Sequence, residues 1–274
     1  MIKDVVANLS VGKPREIVGE FAVTVAKMFD AHLTAVAFAN EPPVTSMSDW
    51  VNHEIIGNYR AEQKAYAERA EKATLDLARS AGIDCTTRIL RHAVVDAAEV
   101  FGAMARDYDL SVVAQGEPDD DVAETLMIEA ALFESGRPVL VVPYIQKAGL
   151  NLDRVMVCWD GSRNAARAVG DALPFLRMAT RVDVVTVEQA ERRNELKGAQ
   201  IAEHLARHKL PVELKPLVAP DAEVANVILS HAADNDADLI VMGGYGHSRL
   251  REFILGGATR GMLQSMTVPV LMSH

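Results

Sequence analysis

The residues best placed to do chemistry lie near the end of the chain. The stretch Gly243-Gly-Tyr-Gly246-His-Ser-Arg-Leu-Arg-Glu-Phe-Ile-Leu-Gly256-Gly257-Ala-Thr259 spaces its glycines as G-x2-G-x9-G. Glycine reaches positive φ, and it lets backbone N–H groups approach a ligand with no Cβ in the way. Gly256-Gly257 then leads into a helix-like stretch, Thr259–Met266. Its unpaired first-turn N–H groups and its dipole favour an anion. A phosphate chain is the natural occupant, with His247, Ser248 and Arg249 adding polar or cationic groups beside it. No G-x4-G-K-[ST] occurs, so this is not a Walker A loop. The glycines follow a fourth strand rather than a first, so it is not the dinucleotide fingerprint either. From glycine chemistry alone, a pair of tight turns accounts for the pattern as well.

Other chemically capable residues read more plainly. His204 and His208 stand at i, i+4 on a helix-like stretch, a spacing that can bind zinc. No Glu-x-x-His accompanies them, and exposed helix histidines account for the pair. His231 follows Ile228 at helical spacing and reads as a packed or capping residue. His247 reads as a phosphate contact, or as a proton carrier if ATP is hydrolysed. Asp160-Gly161-Ser162 lacks the G-x-S-x-G elbow, so Ser162 reads as the cap of a helix beginning near Asn164. Trp159 reads as packing between layers, with stacking on a ligand as the alternative. Cys85 and Cys158 are too few for a disulfide framework or a cysteine-built metal site, and read as small apolar residues. No catalytic residue and no metal site is assigned.

The elements that position these residues come in two sets. Asp109-Leu-Ser-Val-Val-Ala-Gln-Gly116 answers Asp238-Leu-Ile-Val-Met-Gly243, and Arg137-Pro-Val-Leu-Val-Val142 answers Val268-Pro-Val-Leu-Met272. Lys3-Asp4-Val5-Val6-Ala7 likewise answers Asp153-Arg154-Val155-Met156-Val157. This is a duplicated domain, placed at residues 1–145 and 151–274, with Tyr144–Asn151 as the linker. Short apolar β-branched runs give five strands per half: Val5–Leu9, Leu33–Phe38, Thr86–Leu90, Leu110–Ala114 and Val139–Val142, then Val155–Trp159, Val182–Val187, Val212–Val218, Leu239–Met242 and Val270–Met272. Continuous rather than alternating runs are those of strands covered on both faces. Helical spacing lies between them, in Ile17, Phe21, Val25 and Met28, and in Ala165, Val169, Ala172 and Leu176. A longer helix carries Tyr59, Tyr66, Ala70, Ala73 and Leu77 along one face. Strand–helix alternation predicts α/β domains with parallel sheets and helices on both faces. Such folds bind ligands at the carboxyl ends of their strands.

Composition agrees with a folded globular chain: 274 residues, 49% hydrophobic and 24% charged. A net charge of −10 steers the chain toward neither nucleic acid nor an anionic membrane. No apolar run approaches the roughly 20 residues of a membrane helix, and the start MIKDVVANLSVGK lacks a signal-peptide h-region. A soluble cytoplasmic protein is the expectation.

The glycine loop, its place after the fourth strand, the Val-Pro-Val-Leu strand after it and the opening Val-Cys-Trp-Asp160-Gly-Ser resemble the universal stress protein family. Both halves share the resemblance, so the chain is similar to a tandem two-domain member. The resemblance implies two five-stranded parallel α/β domains, Rossmann-like and of the adenine nucleotide alpha hydrolase type. It implies ATP or ADP bound through the glycines in the second domain, for some members of the family lack the motif and do not bind ATP. Mg²⁺ is expected to arrive with the nucleotide, held mainly by phosphates and water. The implied site comprises Gly243, Gly246 and Gly256 as motif glycines, Asp160 near the ribose, Val187 near the adenine, and Met242 just before the loop. His247 and Ser248, with Gly257, Ala258 and Thr259 at the helix start, complete it. Gly257 stands where the motif has Ser or Thr, which removes a hydroxyl. Thr259 is a substitute that the family pattern does not assign.

The first half departs further. Its loop, Ala114-Gln-Gly-Glu-Pro-Asp-Asp-Asp121, has one glycine and four acids, and Ser10 stands in for Asp160. Carboxylates at a phosphate site repel the phosphates, so no nucleotide is expected there. The resemblance also implies edge pairing of Val139–Val142 with Val270–Met272 as an intrachain pseudo-dimer, and it is compatible with a homodimer. The leading function is a nucleotide-binding sensor or regulator. An interaction module without nucleotide and a slow ATP hydrolase are the alternatives.

Overall fold

The computed structural model describes residues 1–9, 11, 16–42, 53–118, 122–188, 198–219, 224–245 and 257–274. The chain divides into two compact units: Met1–Arg137 with Lys147–Gly149, and Pro138–Gln146 with Leu150–His274.

The first unit runs β1 (Asp4–Asn8), α1 (Ile17–Phe29), β2 (His32–Asn40), α2 (His53–Ala81), β3 (Cys85–His92), α3 (Val94–Met104), β4 (Leu110–Ala114) and α4 (Val122–Glu134). Its strands lie in the order β3-β2-β1-β4, all parallel. Val5, Val6 and Ala7 are buried in succession, which requires cover on both faces of the sheet.

Helix α2 corrects one expectation. The line it buries is Ala67, Ala70, Thr74 and Ala78, whereas Ala73 is exposed and Leu77 is 37% exposed. The reason is the surface beneath it. Ala35, Ala37 and Ala39 of β2 form one cluster with Ala67 and Ala70, so the smallest helix residues face the sheet and the larger ones turn aside. Thr74 is tolerated in this line because its hydroxyl donates to the Ala70 carbonyl at 2.9 Å.

The second unit runs β5 (Val139–Val142), β6 (Arg154–Cys158), α5 (Arg163–Leu176), β7 (Arg181–Glu188), α6 (Ala199–Arg207), β8 (Val212–Val218), α7 (Val224–Asp234), β9 (Leu239–Gly243), α8 (Gly257–Ser265) and β10 (Val270–Ser273). Its strand order is β5-β10-β9-β6-β7-β8. The pairs from β10 to β8 are parallel. β5 is antiparallel to β10, with Val270 opposite Val141 and Met272 opposite Val139. The last strand of the first half thus groups with the second unit and covers what would be an open edge of its sheet.

The duplication is visible in the backbone of each unit. Asp109 Oδ2 accepts from the Lys3 and Asp4 amides at 2.7 and 3.2 Å. Asp238 Oδ2 accepts from the Arg154 amide at 2.8 Å. In return the Asp109 amide donates to Asp4 O and the Asp238 amide to Arg154 O. The registers make the equivalence exact at the next level. Val5 lies opposite Leu110 in one unit, and Val155 opposite Leu239 in the other. Counting on, Ala114 takes the place of Gly243 and Gln115 that of Gly244. Among the described residues, no helix is long and apolar enough to cross a membrane.

Candidate functional site

The site follows from the strand order of the second unit. From β6 the sheet grows outward to β7 and β8 on one side, and to β9 and β10 on the other. The order reverses between β6 and β9, and the crevice outside their carboxyl ends is where an open α/β sheet binds its ligand. Asp160 follows β6 at this point and the glycine loop follows β9.

Three chain segments meet there. The first is the turn from β6 into α5. Asp160 is exposed, and its Oδ1 accepts from the Ser162 amide at 2.8 Å across Gly161, which has φ 80°. Ser162 caps α5 as expected, its Oγ accepting from the Ala165 amide at 3.1 Å. The second segment is the end of β9. A Cβ on Gly243 would lie 2.6 Å from Ala165 N and 2.7 Å from Asn164 C. Gly243 is therefore required by the close approach of β9 to the first turn of α5, and not by a positive φ. Asn164 reinforces that approach, donating from Nδ2 to Gly244 O at 2.6 Å, with His274 Nδ1 2.9 Å away.

The third segment is the first turn of α8. The Tyr245 amide donates to Thr259 Oγ1 at 3.2 Å, and Thr259 is only 4% exposed. This tie joins the residue entering the loop to the helix leaving it. Thr259 Oγ1 acts in this tie as an acceptor, a role that does not use its O–H proton. The positive φ in this turn falls on Tyr245, at 54°. The Gly244 amide donates to Ser273 O at 2.9 Å. The amides of Gly244 and Tyr245 are thus taken up by the protein. At the start of α8, Gly257 and Ala258 are exposed.

Asp160, Gly243, Gly257, Ala258 and Thr259 are therefore carried on three segments tied to one another where the strand order reverses. Met242 is buried at the end of β9, and half-buried Val187 sits near the end of β7, paired with Leu217 of β8. Gly246, His247, Ser248, Arg249 and Gly256 lie outside the described residues. Asn164 was not legible as a site residue, because nothing marks it until the fold brings it to Gly244.

In the first unit Gln115 stands where the second unit has Gly244, and it is 2% exposed. Ser10 and Asp119–Asp121 lie outside the described residues.

Both thiols are held neutral. Burial, with Asp160 nearby, pushes Cys158 up to about 12. Burial, with Asp84 nearby, pushes Cys85 up to about 11. Neither is expected to react with a thiol reagent at mildly alkaline pH in the folded chain, since the thiolate is the reactive form. One equivalent of rapid labelling contradicts this. Below the ordinary value of 9.0 both thiols are neutral, folded or unfolded. Above it the unfolded chain ionises first, so stability falls as pH rises from 9.0 toward about 12. Among the described residues, no group of three or more His, Cys, Asp or Glu side chains is placed to hold a metal ion.

The universal stress protein family model matches residues 151–274. Universal stress protein Slr1230 of Synechocystis sp. is 31% identical over 144 residues, covering 49% of this chain and 46% of that protein. The chain thus spans about half the length of the curated relative it matches. Among solved structures, a universal stress protein of Archaeoglobus fulgidus DSM 4304 is similar with a TM-score of 0.71 at 17% identity, over 98% of this chain and 97% of that one. A functionally unknown protein of Pseudomonas aeruginosa PAO1 is similar with a TM-score of 0.62 at 15% identity, over 99% and 92%. At such identities the likeness to these two structures is one of fold.

Proposed function

We propose, for a chain that belongs to the universal stress protein family through its residues 151–274, that the second unit binds an adenine nucleotide, ATP or ADP, in a regulatory role. One observation carries this reading. The turn after β6, the end of β9 and the start of α8 are tied together at the point where the strand order reverses. In this reading Asp160 meets the ribose and the backbone near Val187 meets the base. The first turn of α8 and the loop 246–256 hold the phosphates, with Mg²⁺ carried in on the nucleotide. The four acids of the first-half loop, Glu117 and Asp119–Asp121, support a first unit without nucleotide.

Gly257 offers a direct test. It is exposed, its φ lies outside the left-handed region, and a Cβ there meets no atom of the described residues within 4 Å. Gly257→Ser thus restores the motif hydroxyl without a clash among the described residues. Stability is expected to stay within about 0.5 kcal/mol, while ATP binding tightens about tenfold, the worth of a hydrogen bond to a charged group. Unchanged or weaker affinity, measured by isothermal titration, counts against a phosphate at the start of α8.

The second reading is an interaction module of the same fold with no nucleotide. What favours it is that the Gly244 and Tyr245 amides donate within the protein, while Gly257 supplies no hydroxyl. Titration with ATP and ADP separates the two. A slow hydrolase requires phosphate release that His247→Ala or Asp160→Ala abolishes.

A further inference from the structure

We propose that the carboxyl end of α6 binds one divalent transition-metal ion, of the Zn²⁺, Ni²⁺ or Cu²⁺ class, between His204 and His208. Helix α6 ends at Arg207 with His208 as its cap, so the two imidazoles sit one turn apart on the same face. Both side chains are exposed, and Leu205 beside His204 is fully buried. That burial fixes which face of the helix is turned outward.

The rings stand edge to face, close enough for one ion to bridge them after they rotate. Their centroids are 4.8 Å apart and their planes are inclined at 67°. A metal–nitrogen bond is about 2.0–2.1 Å, and the ring centre lies about 1.1 Å behind the nitrogen, so two imidazoles on one ion at roughly 90–110° have centroids about 4.5–5.2 Å apart. The observed separation falls inside that window. Binding an ion needs rotation about the side-chain bonds and no movement of the helix.

The surroundings suit a cation. The last turn of a helix presents the negative end of its dipole, and the chain as a whole carries a charge of −10. The nearest cation on the helix, Arg207, is turned to Glu203 at 3.2 Å. Among the described residues no third ligand joins the pair. Two imidazoles fill two of the four positions zinc ordinarily takes, and water or other ligands would complete the shell. The site is independent of the nucleotide reading.

The test is titration of the full chain with NiCl2, ZnCl2 and CuCl2 near neutral pH, followed by calorimetry. One ion per chain is expected, with Cu²⁺ the tightest of the three. His204→Ala and His208→Ala are each expected to weaken binding by about tenfold or more, whereas His231→Ala leaves it unchanged. Both substituted residues are exposed, so circular dichroism should show folded variants. Absence of binding at millimolar metal overturns the proposal, as does binding that survives both substitutions unchanged.

Discussion

Gly243→Ala is expected to cost the second unit about 1–3 kcal/mol, the range for overpacking a well-filled site, and to weaken ATP binding at least about tenfold. The added methyl would lie 2.6 Å from Ala165 N and 2.7 Å from Asn164 C. Both are backbone atoms of the first turn of α5, so no flexible side chain can give way. The turn must move off β9. Moving it breaks the bond from Asn164 to Gly244 and displaces Ser162, which holds Asp160. Stability and affinity should therefore fall together, read by urea unfolding and by calorimetry on the folded fraction. Unchanged values in both contradict the close approach of β9 and α5. A loss of stability with affinity intact contradicts a nucleotide at this crevice.

Phe175→Ala is expected to cost more stability and to leave affinity almost alone. Phe175 is fully buried at the far end of α5, and emptying such a site costs about 3–5 kcal/mol. It lies roughly 16 Å along the helix axis from Asn164, at 1.5 Å per residue. Below the lowered melting temperature, ATP affinity should stay within about twofold of the original. A large affinity loss in a variant still folded by circular dichroism places the site elsewhere than at the start of α5. A cost below about 1 kcal/mol contradicts the burial of Phe175.

These two residues show what the sequence made legible and what it did not. The strands were legible because consecutive apolar residues such as Val139–Val142 are buried on both faces, a pattern that needs no knowledge of neighbours. The α5 face, with Ala165, Val169, Ala172 and Leu176 buried, was legible for a similar reason, since helical period alone selects it. The α2 face was not. Which of its residues turn inward depends on the alanines of β2, and a pattern that ranks Tyr and Leu as the apolar stripe favours the wrong line.

The site was legible in outline only. A glycine needed for positive φ and one needed for close approach look alike in sequence, and the atoms that make Gly243 necessary belong to a helix far earlier in the chain. Tyr245, a residue not usually chosen for it, takes the left-handed conformation instead. Asn164 and the tie from Tyr245 to Thr259 are products of the fold. In the first half, attention to acidic residues missed Gln115, which stands buried where the second unit has Gly244.

Calorimetric titration of the full chain with ATP tests the central claim most directly. The expected result is saturable binding of one nucleotide per chain, lost when Asp160 is replaced by alanine in a chain that still folds. No heat at high micromolar ATP, or two nucleotides per chain, contradicts it.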